Sequence, residues 1–371
     1  MKKRIFLLSD AKNPHTIKWA RSLALAGHDI FVYGITPFES DIYKNYPNIQ
    51  SAHSGLSEKY NKIGDGAFQK ICYLTTLFHL KRKIKEFNPD ILHAHYATSY
   101  GLLGLLSRFR PFYISVWGAD VYDFPQRSFI HRWLLKLNLW AADRLFSTSH
   151  VMALETLKYT SKDIEVIPFG VDLEKFKPLK VSSHIFPEGS LIVGTIKSLE
   201  DKYGIDYLID AFSIVKKRNP TLPLKLLIVG RGTKEQILKN KVKELGLEKD
   251  TIFTGFIPVE DVPTYQNMLD IAVFPSVLDS ESFGVSVVEA CACGKPVIVS
   301  DKGGLPEVVK KGESGLVVPA SDAMALADAI QRLIDDPELR KKMGAQGRSR
   351  VQSLYDWNVN LSAMVAAYEK Q

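Results

Sequence analysis

Glu281 and Glu289 stand eight residues apart, with Ser282, Phe283 and Gly284 directly after the first and a helix expected to begin near Val285. The first turn of a helix leaves backbone N–H groups without intrahelical partners, and the macrodipole adds partial positive charge there. Such a tip is an anion site, most naturally for a phosphate. Glu281 lies just before that tip and Glu289 about one turn inside it. Carboxylates do not bind phosphate, but they accept hydrogen bonds from hydroxyls well. A phosphate flanked by hydroxyl-bearing groups is the outline of a nucleotide sugar.

Three further segments could serve the same ligand. The loop from Gly194 to Gly204 holds Lys197 and Lys202 between a strand and a helix, and lysine brings a mobile point charge suited to a diphosphate. Gly230, Arg231 and Gly232 make a tight turn after the next strand. The backbone around Gly255, Phe256, Ile257 and Pro258 could pair with a nucleobase. Each signal is weak alone, since solvated loop lysines and plain turns are common; near a helix-tip phosphate site they support one another.

In the first half, Trp117, Gly118, Ala119 and Asp120 follow a strand end. Asp120 is expected to orient an acceptor hydroxyl or the sugar, with a solvated loop aspartate as the alternative. His93 and His95 alternate along one strand and so point the same way. No third ligand accompanies them, so a hydrogen-bonded pair is expected rather than a metal site. His95 and His15 are further acceptor-site candidates. Cys72, Cys291 and Cys293 form no CxxC and no disulfide framework, which fits a reducing cytoplasm, and the last two read as small buried helix residues.

These residues need strand ends to hold them. Strands are expected at 4–9, 30–33, 91–95, 113–117 and 144–147, each beside a helix candidate; Asn13 and Pro14 open the first helix as cap and first residue. A proline-rich stretch at 166–179 closes this unit, and 180–190 is loop-like. A second series follows, with strands near 191–195, 225–229, 251–254, 271–274, 297–300 and 316–318. Alternation of this kind implies α/β domains with doubly wound parallel sheets. The expected domains are 1–178 and 186–357, with a final helix at about 358–371 packing back on the first. Ligands in such sheets bind at the carboxyl ends of the strands, so a cleft between the two domains is expected to hold the site.

A chain of 371 residues, 46% hydrophobic and 24% charged, is ordinary for a globular protein of two domains. No apolar run approaches the roughly 18 residues that span a bilayer. Basic residues precede an apolar run at the start, but the run stops at Ser9 and Asp10 with no small-residue cleavage site, so a first strand is expected. Residues 1–172 hold 22 Lys and Arg against 15 Asp and Glu, whereas the rest is balanced at 26 each. All the excess positive charge therefore belongs to the first half, which implies an anionic surface or acceptor there. It concentrates around Lys81 to Lys85, Arg108, Arg110 and Arg127 to Lys136, beside Phe78, Phe109, Phe129 and Trp133. Basic residues beside aromatics suit an anionic membrane interface, provided the aromatics do not face the core.

Taken together, Glu281 to Gly284 with Glu289, then Gly294 to Val297 and Gly303 to Glu307, resemble the donor-site signature of the retaining family 4 glycosyltransferases of the GT-B fold. The stretch from Val166 to Asp172 is similar to that family's interdomain segment, with Phe169 where asparagine is more usual, and 202–208 also matches. The resemblance implies two Rossmann-like domains facing a cleft, a nucleotide sugar donor and no bound metal or other cofactor. Carried over, Glu289 would hold the donor ribose, Glu281 would contact hydroxyls of the transferred sugar, and backbone at Phe283, Gly284 and Val285 would hold the diphosphate. Lys202 would neutralise the leaving diphosphate, Lys197 would assist, and Arg231 and Ile257 would lie along the donor. The family often has arginine at the position of Thr195, which makes Lys197 the natural substitute. Trp117 stands where histidine is frequent.

The reading is a cytoplasmic, membrane-peripheral hexosyltransferase that moves sugar from a nucleotide diphosphate donor to a glycan or lipid-linked precursor in surface polysaccharide, lipopolysaccharide or glycolipid synthesis. The residues expected to act at the reacting groups are Glu281, Asp120 and Lys202. The alternatives are a nucleotide-sugar epimerase of the same fold and a non-catalytic glycan-binding scaffold. A nicotinamide enzyme is disfavoured because no G-x-G-x-x-G follows the first strand, and nucleic acid is not an expected partner.

Overall fold

The computed structural model describes residues 1–57, 68–181 and 185–370, and within them the chain divides into two compact units. The N-terminal unit comprises Met1–Pro168 and Val359–Gln371; the C-terminal unit comprises Phe169–Asn358.

The N-terminal unit opens with β1 (Arg4–Leu8), α1 (Pro14–Leu25), β2 (Asp29–Gly34) and β3 (Ile49–His53). After α2 (Leu77–Phe87) come β4 (Ile91–His95), α3 (Ser99–Ser107), β5 (Phe112–Val116), α4 (Ala119–Tyr122) and α5 (Phe129–Ala141). The unit then runs through β6 (Arg144–Ser147), α6 (His150–Thr156) and β7 (Ile164–Val166). Its seven strands pair in parallel in the order β3-β2-β1-β4-β5-β6-β7. Strands covered on both faces read as continuous apolar runs, and Ile5 to Leu8 are fully buried as that rule requires. Strands β3 and β7 were not anticipated. Gln50, Ser51 and His53 break the apolar run of β3, and β7 is only three residues long.

The C-terminal unit contains β8 (Leu191–Ile196), α7 (Ile205–Arg218), β9 (Leu224–Val229), α8 (Glu235–Glu244), β10 (Thr251–Gly255) and α9 (Val262–Met268). There follow β11 (Ile271–Phe274), α10 (Val285–Ala292), β12 (Val297–Ser300), α11 (Leu305–Val308) and β13 (Leu316–Val318). Helices α12 (Ala323–Asp335), α13 (Pro337–Leu354) and α14 (Trp357–Glu369) complete the chain. Six parallel strands lie in the order β10-β9-β8-β11-β12-β13. From Val359 onward α14 belongs to the N-terminal unit, where Tyr368 hydroxyl and His93 Nδ1 share a 2.7 Å hydrogen bond.

Both sheets reverse strand order once, between β1 and β4 and between β8 and β11. Such switch points open a crevice at the strands' carboxyl ends, where ligands of this architecture bind. In the N-terminal unit that place holds His15, in the first turn of α1, and the residues after His95. In the C-terminal unit the loops at that place hold Lys197 to Gly204 and Pro275 to Gly284.

Candidate functional site

In the C-terminal unit the switch-point loops are tied together by an ion pair. Lys197 Nζ donates to Glu281 Oε1 at 2.9 Å, with side-chain exposures of 14% and 7%. The same Nζ lies 4.4 Å from the ring centroid of Tyr203, and Lys202 Nζ lies 4.9 Å from it. The Tyr203 ring thus takes two ammonium groups, each within cation–π range. Burial, with Glu281 and Glu200 nearby, pushes the Tyr203 hydroxyl up, so it stays neutral. Val277 N donates to Lys202 O at 2.8 Å, a second tie between the two loops.

Helix α10 begins where the sequence placed it. Gly284 caps it at φ 91° and ψ 52°, left-handed values that favour glycine, and no side chain caps the first turn. Val287 N and Val288 N both reach back to Gly284 O. That leaves the N–H groups of Val285 and Ser286 at the tip, with no acidic residue in the first turn to compete for an anion. Glu289, half-buried, sits one turn further in.

The Gly303–Gly304 pair explains how the Glu281 loop keeps its path. A Cβ on Gly303 would stand 2.1 Å from Glu281 O, and one on Gly304 would stand 2.3 Å from Ser282 O. With only hydrogens there, Gly304 N donates to Glu281 O at 2.9 Å and Gly303 N donates to Asp279 Oδ1 at 3.2 Å. From behind, Phe283 is packed edge-on between Phe169 and Tyr355, at centroid distances of 6.0 and 5.5 Å. Phe169, where asparagine was the commoner expectation, therefore buttresses this loop.

The turn after β9 and the end of β10 are bridged by Gly230 N donating to Gly255 O at 3.0 Å. The Arg231 guanidinium lies 4.7 Å over the ring of Phe256, which is 62% exposed, and Ile257 follows directly. Two groups at this site were missed from sequence. They are Tyr203 and Phe256; Tyr203 directly follows Lys202 in sequence, whereas Phe256 meets Arg231 only across sequence distance and gave no local signal.

In the N-terminal unit the structure brings His15, His95 and Trp117 together. The Trp117 ring lies 4.7 Å from His95, tilted at 31°, and 6.0 Å edge-on from His15. His95 is fully buried, and its Nδ1 has no partner. His93 and His95 do not hydrogen-bond to each other as expected. Their rings pack edge-on at 4.8 Å, and His93 instead bonds Tyr368 and Ser115 at 2.7 and 2.8 Å. Burial, reinforced by the neighbouring His15, lowers His95 to about 3, and burial with His95 holds His93 well below its ordinary value.

Asp120 is neither solvated nor open to a ligand. It is wholly buried, and its carboxylate accepts from Ala97 N and Gly118 N at 2.8 Å and from Trp117 N at 3.2 Å. Burial raises its carboxyl to about 6 despite these backbone donors, which pull the other way. Its geometry ties the loop bearing Trp117 to the loop after β4. Among the described residues no cluster of three or more His, Cys, Asp or Glu is placed to hold a metal ion.

With this geometry in hand, comparison with known proteins identifies both halves. Residues 177–350 match the family model described as Glycosyl transferases group 1, and residues 4–149 match Glycosyl transferase 4-like. A D-inositol 3-phosphate glycosyltransferase of Jonesia denitrificans is 31% identical, over 96% of this chain and 90% of its own. A GDP-mannose-dependent α-(1-6)-phosphatidylinositol monomannoside mannosyltransferase of Mycolicibacterium smegmatis is also 31% identical, but that match spans 53% of this chain and 54% of the relative. Among solved structures, a sucrose-phosphate synthase of Thermosynechococcus elongatus superposes with a TM-score of 0.83 at 24% identity, covering 100% of this chain and 99% of that one. Anabaena Alr3699/HepE in complex with UDP and glucose gives a TM-score of 0.80 at 19% identity, with both chains fully covered. At those identities the structural likeness speaks for the GT-B fold.

Proposed function

The chain belongs to the glycosyl transferases group 1 family, and on that premise we propose that it moves a hexosyl unit from a nucleotide diphosphate sugar to a hydroxyl of a glycan or lipid-linked precursor, with retention at the anomeric carbon. The observation that carries this reading is the Lys197–Glu281 pair beside the uncapped tip of α10. A sugar diphosphate offers negative charge to the first member of that pair and hydroxyls to the second.

In the proposed reaction the diphosphate sits against the N–H groups of Val285 and Ser286, with Lys202 and Lys197 over its oxygens. These groups supply the positive charge that the departing diphosphate demands, so no metal is required of the protein. Lys197 leaves Glu281 for the diphosphate, and the freed carboxylate accepts from hydroxyls of the sugar. Glu289 accepts from the ribose hydroxyls, and the backbone edge at Ile257 pairs with the base beside the Arg231–Phe256 stack. The bond from the anomeric carbon to the phosphate oxygen breaks as the acceptor oxygen attacks from the same face. The acceptor's proton passes to the departing phosphate oxygen. No protein nucleophile takes part.

The acceptor is assigned to the N-terminal unit, around His15, His95 and Trp117, with Asp120 as a positioning residue for the Trp117 loop. The basic excess of that unit supports a cytoplasmic enzyme working at an anionic membrane face on a lipid-linked acceptor. The mannosyltransferase relative named for phosphatidylinositol monomannoside supports the same acceptor class. No helix among the described residues is long and apolar enough to cross a membrane. The test is proton NMR of the product formed from an α-linked UDP- or GDP-hexose. The first product formed should carry the donor's α configuration; a β-linked first product overturns the retaining reading.

A further inference from the structure

Helix α5 covers the sheet with Leu135, Asn138, Leu139 and Ala141, and among the described residues nothing covers its opposite face. That opposite face is apolar. Phe129 is 81% exposed, Ile130 57%, Trp133 53% and Trp140 68%. At 3.6 residues per turn Phe129, Trp133 and Trp140 fall within about 40° of one another around the axis, a single stripe. Arg132 and Lys136 lie along one edge of that stripe, and Arg127 stands just ahead of it. The thirteen residues of α5 include no acidic side chain, and among the described residues none of these three cations forms an ion pair.

Helix α2 offers a second exposed aromatic beside cations, although there Glu86 pairs with Arg82 and Lys83. Phe78, in the first turn of α2, is 81% exposed, and exposed Lys81, Arg82 and Lys85 follow it on the outer side. Helix α3 lies against both α2 and α5. Since α5 links two parallel strands it runs antiparallel to them, so Phe129 lies toward the carboxyl ends of the sheet. There the His131 ring packs edge-on against Phe124 at 4.9 Å, which joins α5 to the segment that follows Asp120.

Isolated surface apolar residues need no explanation, but a contiguous stripe of two tryptophans and a phenylalanine, flanked by an exposed isoleucine, does. A protein partner would account for the aromatics alone. The unpaired cations beside them, with no acid on the helix, match a surface that is anionic and apolar at once, as lipid phosphates over acyl chains are. Tryptophan and arginine are also the residues that settle at the headgroup boundary.

We propose that the outer face of α5, with Phe78 of α2 as a second point of contact, docks this protein on an anionic bilayer. Phe129, Trp133 and Trp140 enter the acyl boundary, and Arg127, Arg132 and Lys136 meet lipid phosphates. The stripe is roughly 17 Å long at 1.5 Å per residue, so the helix lies in the interface plane and does not span. The purpose of the docking rests on the lipid-linked acceptor reading; the docking itself does not.

The test uses the full chain with phosphatidylglycerol-containing vesicles, pure phosphatidylcholine vesicles, and the phosphatidylglycerol vesicles with brominated acyl chains. Trp19 and Trp357 are buried and Trp117 is half-buried, so in a Trp117→Phe background quenching by bromine reports on Trp133 and Trp140. Wild type should sediment with the anionic vesicles, lose emission on the brominated ones and bind phosphatidylcholine far more weakly. Trp133→Glu/Trp140→Glu should lose vesicle affinity by at least roughly tenfold while keeping the thermal shift given by the nucleotide sugar. Three results would each overturn the proposal: no sedimentation of wild type, sedimentation without quenching, or a wild-type dimer that the double variant abolishes. Vesicle binding requires no donor, so a protein that inserts but binds no nucleotide sugar would refute the donor reading and leave this one standing.

Discussion

Lys197 Nζ stands 2.9 Å from Glu281 Oε1, and that one contact joins the end of β8 to the loop before α10 while holding both charges out of water. Buried pairs of this kind contribute little net stability, because desolvation offsets their attraction, yet removing one partner strands the other. Glu281→Ala should therefore destabilise the C-terminal unit by about 3 kcal/mol in urea unfolding. Lys197→Met/Glu281→Leu should recover most of that loss while both variants fail to transfer sugar. A double-variant loss equal to the summed losses of Lys197→Met and Glu281→Leu alone would show that the two groups do not act as a pair.

Lys202 carries a different prediction. Its proposed work is on charge that develops as the diphosphate leaves, so Lys202→Ala should lower kcat by about 10²-fold or more, with a smaller change in KM. Steady-state kinetics at saturating acceptor separate the two. A variant altered in KM alone would assign Lys202 to ground-state binding.

Gly304 has no unusual φ, so its constraint is purely one of space, with Ser282 O where a side chain would go. Gly304→Ala should push the Glu281 loop outward, weaken donor binding by about tenfold or more and destabilise by about 2 kcal/mol. Gly246 sits at φ 67° with open space around its missing side chain, so Gly246→Ala should cost about 1 kcal/mol with donor affinity unchanged. Equal donor affinity in the two variants would contradict the role given to the glycine pair.

The buried histidines predict an acid-side instability of the N-terminal unit. His93 and His95 are held neutral in the fold, so both take up protons on unfolding once the pH falls below the ordinary histidine value of about 6.5. Each then removes up to about 1.4 kcal/mol of stability per pH unit as the pH falls toward its lowered folded value. Asp120 acts in the opposite sense. Its raised carboxyl binds a proton more readily folded than unfolded, so it returns stability as the pH falls from about 6 toward 4. Two histidines against one aspartate leave a net loss that sets in as the pH falls through 6.5. Unfolding of His95→Phe followed across this range should show the slope reduced by one histidine's share. An unchanged slope would mean that His95 is already charged in the fold.

Much of this was legible in the sequence because the fold is built from local periodicity. Parallel strands buried on both faces announce themselves as apolar runs, and eleven of the thirteen lie close to the stretches where they were expected. Strands β3 and β7 escaped because their residues carry too little apolar pattern to stand out. The α10 tip was legible for a similar reason, since a glycine before an apolar helix is a local signal. What could not be read was contact across sequence distance. Nothing in the spacing says that Lys197 meets Glu281, that Tyr203 lies beside both lysines, or that Asp120 turns inward to three backbone N–H groups. Nor could periodicity decide which face of α5 the sheet takes. The pattern offers Leu135 and Leu139 on one side and Trp133 and Trp140 on another, and only packing chooses between them.

Binding of a nucleotide sugar between the α10 tip and the carboxylates around it is read out by thermal denaturation of wild type and Glu289→Ala with UDP-, GDP- and ADP-hexoses. One nucleotide series should raise the wild-type midpoint by several degrees at ligand concentrations about 100-fold above Kd, and the variant should lose most of that shift at the same concentrations. A wild type that responds to none of the three, or a Glu289→Ala variant that shifts as far as wild type, would contradict it.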